Sequence, residues 1–97
     1  MNKITTDLID AIDNENIEVV ALNVSRGAKI TEGAFTLAAF HNNIEILKLL
    51  MAHGNIQKHY YVPLCTACKY QKWEAVKLIA EQMRIIEETK NLSLIHI

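Results

Sequence analysis

Two cysteines, Cys65 and Cys68, stand in a C-x-x-C spacing, with His53 and His59 a short way upstream. Thiolates and imidazoles at such spacing can ligate zinc, and a C-x-x-C pair can also exchange a disulfide. Zinc needs four ligands in tetrahedral reach, yet the chain has neither a second cysteine pair nor a paired H-x-x-x-H. A thioredoxin-like redox centre needs a βαβ setting, and the apolar pattern here is helical. A small metal-binding or redox helical domain using Cys65 and Cys68 is therefore the remote alternative. Both cysteines read more simply as small apolar filler, Cys68 against a neighbouring helix.

The other chemically able residues are scattered. Asp7, Asp10 and Asp13 recur every three residues, but a paired-carboxylate mechanism needs a cleft around the pair. His41 falls in a turn, His53 near a helix end, His59 in a loop and His96 in the tail. Three scattered glycines make no phosphate-binding loop. No serine or cysteine has a recognisable base and orienting group beside it. The chain is thus expected not to be an enzyme, and no cofactor or metal is expected.

Composition narrows the class. At 97 residues, 51% apolar and 22% charged, the chain is one small globular domain. A net charge of −1 gives no field to draw it to nucleic acid or an acidic membrane. The charge is uneven: residues 1–32 hold three basic and six acidic side chains, whereas residues 33–80 hold five and two. Asp7, Asp10 and Asp13 interrupt any signal peptide, and Glu45 and Lys48 break the richest apolar stretch, so no membrane span is expected. Two cysteines make no disulfide framework, which points to the reducing cytoplasm.

What must position all of these residues is a repeat. Leu8, Phe35 and Leu64 precede Ala11, Ala38 and Ala67; Ile17, Ile44 and Trp73 precede Glu18, Glu45 and Glu74. The spacings are 27 and then 29 residues, and a period near 30 marks a stacked array. Each unit reads as two helices joined by a tight turn, the middle pair over about Ala34–His41 and Ile44–His53. Asn16 and Asn43 are placed to cap the second helices. Gly27 and Gly54 fall where a left-handed residue often ends a helix. Pro63 opens a helix where its missing N–H costs nothing. The second helices are apolar on more than one face, so they bury against neighbouring units.

Pro63–Leu64–Cys65–Thr66–Ala67–Cys68 followed by Trp73–Glu74–Ala75–Val76–Lys77–Leu78–Ile79 resembles the ankyrin repeat. Leu37–Ala38–Ala39, Ile44–Glu45–Ile46–Leu47–Lys48–Leu49–Leu50 and Gly54 repeat the resemblance, as do Ile17–Glu18–Val19–Val20 and Gly27–Ala28. It implies an all-α, ankyrin-like solenoid of three helix-turn-helix repeats, at about 5–31, 32–60 and 61–88 of a domain spanning 1–90. The family's unit is about 33 residues, and the loss between helix pairs predicts shortened or absent β-hairpin fingers. The family's mode of work implies a protein-protein interaction module or scaffold. The partner is another protein, held at the positions after the paired alanines and at the connecting loops. Mapped onto this chain, the first are Asp13 and Asn14, Phe40 and His41, and Lys69 and Tyr70; the loops add Lys29, Thr31 and Glu32, then Lys58, His59, Tyr60 and Tyr61. The aromatic and basic ones, Phe40, His41, Lys58, His59, Tyr60, Tyr61, Lys69 and Tyr70, are the candidate contacts. The alternative is a structural spacer for a missing downstream catalytic or effector domain.

The last residues read differently. Leu92–Ser93–Leu94–Ile95–His96–Ile97 resembles a translated sequencing adapter, so 91–97 is expected to be a non-native tail. The chain is then expected to be the N-terminal fragment of a longer repeat protein. Asp10 stands where the middle unit has Leu37, which predicts a polar first face. Val76, Ile79 and Met83 predict an open last one.

Overall fold

In the computed structural model the described residues are 3–95, with side-chain surroundings for 7–89. Among them there are seven helices and no strand: α1 Lys3–Asp13, α2 Ile17–Ser25, α3 Glu32–Phe40, α4 Ile44–His53, α5 Ile56–His59, α6 Tyr61–Lys69 and α7 Trp73–Ile95. Three antiparallel pairs, α1/α2, α3/α4 and α6/α7, stack in chain order, first helix on first helix and second on second. The all-α solenoid is as expected, and no β-hairpin finger is present among the described residues.

One turn, made three times, sets the geometry of every pair. At the end of α1 the Glu15 amide donates to Ile12 and the Asn16 amide to Ala11, both at 2.9 Å. Asn42 and Asn43 donate likewise to Ala39 and Ala38, and Gln71 and Lys72 to Cys68 and Ala67. This is a Schellman closure, and its C′ residue must be left-handed. Glu15, Asn42 and Gln71 accordingly have φ of 55°, 52° and 59°. The next residue then begins the second helix: Asn16 accepts from the Val19 amide at 3.3 Å and Asn43 from Ile46 at 3.1 Å.

The core runs along the stack. Leu8 and Ile12 from α1, Phe35, Ala38 and Ala39 from α3, and Ile46, Leu47 and Leu50 from α4 are all buried. Ala67, Ala75 and Ile79 continue it into the last pair. The small residues at Ala38 and Ala67 let α3 and α6 approach closely, which is the most extensive helix contact among the described residues.

Several expectations are corrected. The segment after Gly54 is a short helix, α5, seated by the buried Ile56, where a loop is expected from sequence. Gly27 is left-handed at φ 87° and closes α2 by the same Schellman pattern. Gly54 is instead extended, at φ −114° and ψ 179°. Its requirement is steric, since a Cβ there would lie 2.9 Å from Ile30 Cγ2 and 3.0 Å from the Leu50 carbonyl oxygen. Pro63 is the third residue of α6, not the first, still within the turn whose amides need no partner. Ile79, expected on an open face, is fully buried, whereas Val76 and Met83 are half-buried. α7 runs on to Ile95, into the segment expected to be non-native, whose His96 and Ile97 lie outside the described residues.

Candidate partner-binding surface

Because the Schellman turn is the same in all three pairs, it delivers equivalent residues to one line. Asp13, Phe40 and Lys69 end α1, α3 and α6, and Asn14, His41 and Tyr70 follow them. Contacts join this line from one repeat to the next. His41 Nε2 lies 3.1 Å from Asp13 Oδ1. The carboxylate can only accept, so Nε2–H donates. The Phe40 ring meets His41 edge-on at 5.4 Å and Tyr70 edge-on at 5.0 Å. Lys69 Nζ sits 5.4 Å over the Tyr70 ring, within the range in which a cation is drawn to a π-face. Phe40 remains 38% and Tyr70 48% exposed. The contacts fix these rings without hiding them.

The structure divides the eight residues singled out by sequence into two clusters. Phe40, His41, Lys69 and Tyr70 come together as described, joined by Asp13. Lys58 and His59 end α5, Tyr60 follows, and Tyr61 begins α6. Tyr61 and Lys69 are the two ends of α6, which at 1.5 Å per residue sets them about 12 Å apart along it. His59 is half-buried, its ring 6.4 Å from Phe35, so it props the core edge. Tyr61, in contrast, is 67% exposed.

A second ladder lies beneath the row. Glu15 Oε1 accepts from Asn43 Nδ2 at 3.3 Å, and Asn42 Oδ1 accepts from the Ala75 amide at 3.1 Å. Glu15 and Asn42 thus each steady the start of the next repeat's second helix. For α7 this contact supplies a cap that Lys72, which has no acceptor, cannot. Sequence reading missed these roles; the only signal was that Glu15, Asn42 and Gln71 share one register position. It also passed over Trp73, an aromatic in the place of Ile17 and Ile44, which is 61% exposed.

Cys65 and Cys68 are both exposed and free, so neither is the small apolar filler expected from sequence. Cys68 occupies the register position of Ala39, which α6 covers completely; no described helix covers Cys68 in the same way. Among the described residues, no three His, Cys, Asp or Glu side chains converge as metal ligands would. Among them, too, no helix is long and apolar enough to cross a membrane.

A solenoid of helix pairs closed by left-handed turns, with a line of fixed aromatic and charged side chains along its turn edge, defines a helical repeat protein. The profile of ankyrin repeats, in three copies, matches residues 8–91. The chain belongs to the ankyrin repeat family. No curated protein and no solved structure matches it.

Proposed function

We propose that the chain is a protein-binding module and that it holds its partner on the row Asp13, His41, Phe40, Tyr70 and Lys69. Ankyrin repeats are generally protein-protein interaction modules and not catalysts. The observation that supports this particular surface is the Phe40–Tyr70 pair, two partly exposed rings fixed edge to face across a repeat boundary. Pre-ordered aromatic side chains lose little rotamer freedom on binding and are frequent hot spots. Lys58, Tyr60 and Tyr61 form a second contact at the other end of α6. The partner is a protein, with no part for nucleic acid, membrane, cofactor or metal, and the setting is cytoplasmic. The test is an affinity capture comparing the wild type with Phe40→Ala plus Tyr70→Ala, after circular dichroism shows both folded. Loss of a specific partner supports the row; an unchanged partner set sinks it.

A second reading is that the array is the N-terminal part of a longer protein and spaces a downstream domain. Its support is the exposure of Cys68 at a position that α6 covers in the preceding repeat. The repeat domain would then take residues 1–90, with 91–97 foreign to it. Sequencing the gene through the codon for Asn91 decides this: a further Ala-and-Glu unit in frame supports it, and a stop after Ile97 removes it.

A further inference from the structure

We propose that the outer face of α1 and α2 is a second docking groove, taking a short segment of a partner protein that presents a lysine or arginine beside an aliphatic side chain. The groove encloses about 380 Å³, near the small end of ligand sites, which suits a short stretch of chain. It lies on the first repeat's outer face and is independent of the aromatic row.

Its chemistry comes from three pairs of residues, each pair one helical turn apart. Asp7 and Asp10 place two carboxylates on the α1 wall, and neither forms an ion pair with any described residue. Val19 and Leu22 give α2 an apolar strip, 38% and 47% exposed. Asn23 and Arg26 add donors along the α2 side. The face expected to be a polar cap is therefore half apolar and carries opposed acceptors and donors.

Asn23 is the residue that makes this a site. It occupies the register position of Leu50 and Ile79, both fully buried, and is itself only 5% exposed. Its Nδ2 has no hydrogen-bond partner among the described residues. A buried amide in a leucine position is a standing penalty unless something supplies an acceptor. Rotation about χ2, a soft torsion, carries Nδ2 toward the groove it lines and turns Oδ1 inward, where an unpaired acceptor is tolerated more readily than an unpaired donor. A backbone carbonyl of a bound segment satisfies it there. The segment's cation meets Asp7 and Asp10, and its aliphatic side chain covers Val19 and Leu22. Arg26 disfavours a segment that is basic throughout and donates to a second carbonyl or a carboxylate.

The test is to pan a displayed peptide library on the folded chain and to measure the selected peptides by calorimetry. Expected are peptides in which Lys or Arg adjoins Leu, Ile or Val. Asn23→Leu and Asp10→Lys each weaken them by about tenfold or more, while Tyr70→Ala leaves them unchanged. Asn23→Leu places the residue type of Leu50 at this buried position, and circular dichroism of the variant separates a loss of binding from unfolding. Failure to enrich any peptide, or peptides indifferent to Asn23→Leu and Asp10→Lys, overturns the proposal. Peptides lost with Tyr70→Ala alone also overturn it and favour the aromatic row.

Discussion

The side chain of Asn42 accepts a hydrogen bond from the backbone amide of Ala75 at 3.1 Å, across 33 residues of sequence. Asn42 is also left-handed, with φ 52°. One residue thus closes α3 and caps α7, tying two repeats together at their turns. Gln71 repeats the conformation, at φ 59°, without a hydrogen bond from its side chain among the described residues. The two positions should respond oppositely to the same change. Asn42→Gly relieves the left-handed strain but uncaps α7, and a net loss of about 0.5–1 kcal/mol is expected. Gln71→Gly gives relief alone, with a gain of about 0.5–1 kcal/mol. Urea denaturation of the two variants checks this, and equal signs would refute the capping role.

Gly54 and Gly27 should both resist alanine, for different reasons. At Gly54 the new methyl meets Ile30 and a backbone carbonyl, neither of which yields easily; a loss of about 1–3 kcal/mol is expected. Adding Ile30→Ala should recover part of the loss, in a double-mutant cycle. At Gly27 nothing lies within 4 Å. The cost there is conformational, about 1–2 kcal/mol for a left-handed alanine, and no second substitution should rescue it.

Phe40 and Tyr70 should be energetically coupled in the free protein. Edge-to-face rings at 5.0 Å give about 0.5–1.5 kcal/mol beyond burial. A thermal double-mutant cycle with Phe40→Leu and Tyr70→Leu measures this. A coupling of zero would mean that the rings are not held together in solution, and the row would lose its pre-ordering.

α7 should lose protection toward its end. Ile79 is fully buried, but from Arg84 to Thr89 the side chains are exposed apart from a half-buried Ile86. Amide exchange is expected to be fastest beyond Met83. Arg84 opposes the fraying by bridging Glu81 and Glu88. The hydrogen bond from Arg84, and next its charge, hold the Glu81 carboxyl below the usual range. A carboxyl lowered on folding stabilises above its unfolded pKa of about 4.3 and loses that contribution as pH falls through the folded value. The wild type should therefore lose helicity in acid more than Arg84→Gln does. Identical acid titrations by circular dichroism would remove the bridge from the account.

The sequence by itself determined the three helix pairs, their register and the caps of α2 and α4. Apolar residues at a fixed period, with Asn16 ahead of α2 and Asn43 ahead of α4, are local signals read within one turn of chain. It determined also which side chains belong to the turn-edge row, because the ankyrin resemblance, carried along the register, assigns Phe40, His41, Lys69 and Tyr70. Only the tertiary structure decided what those residues touch. The Asp13–His41 bond and the Phe40–Tyr70 edge contact depend on how one pair is offset on the next, which no local pattern encodes. It decided as well that Gly54 is needed for space and not for φ, since Ile30 is brought to it from a different repeat. Cys68 and Asn23 show the same division most plainly. Cys68 reads as small apolar filler and Asn23 stands in register with Leu50 and Ile79, yet stacking leaves the thiol exposed and the amide buried without a partner among the described residues.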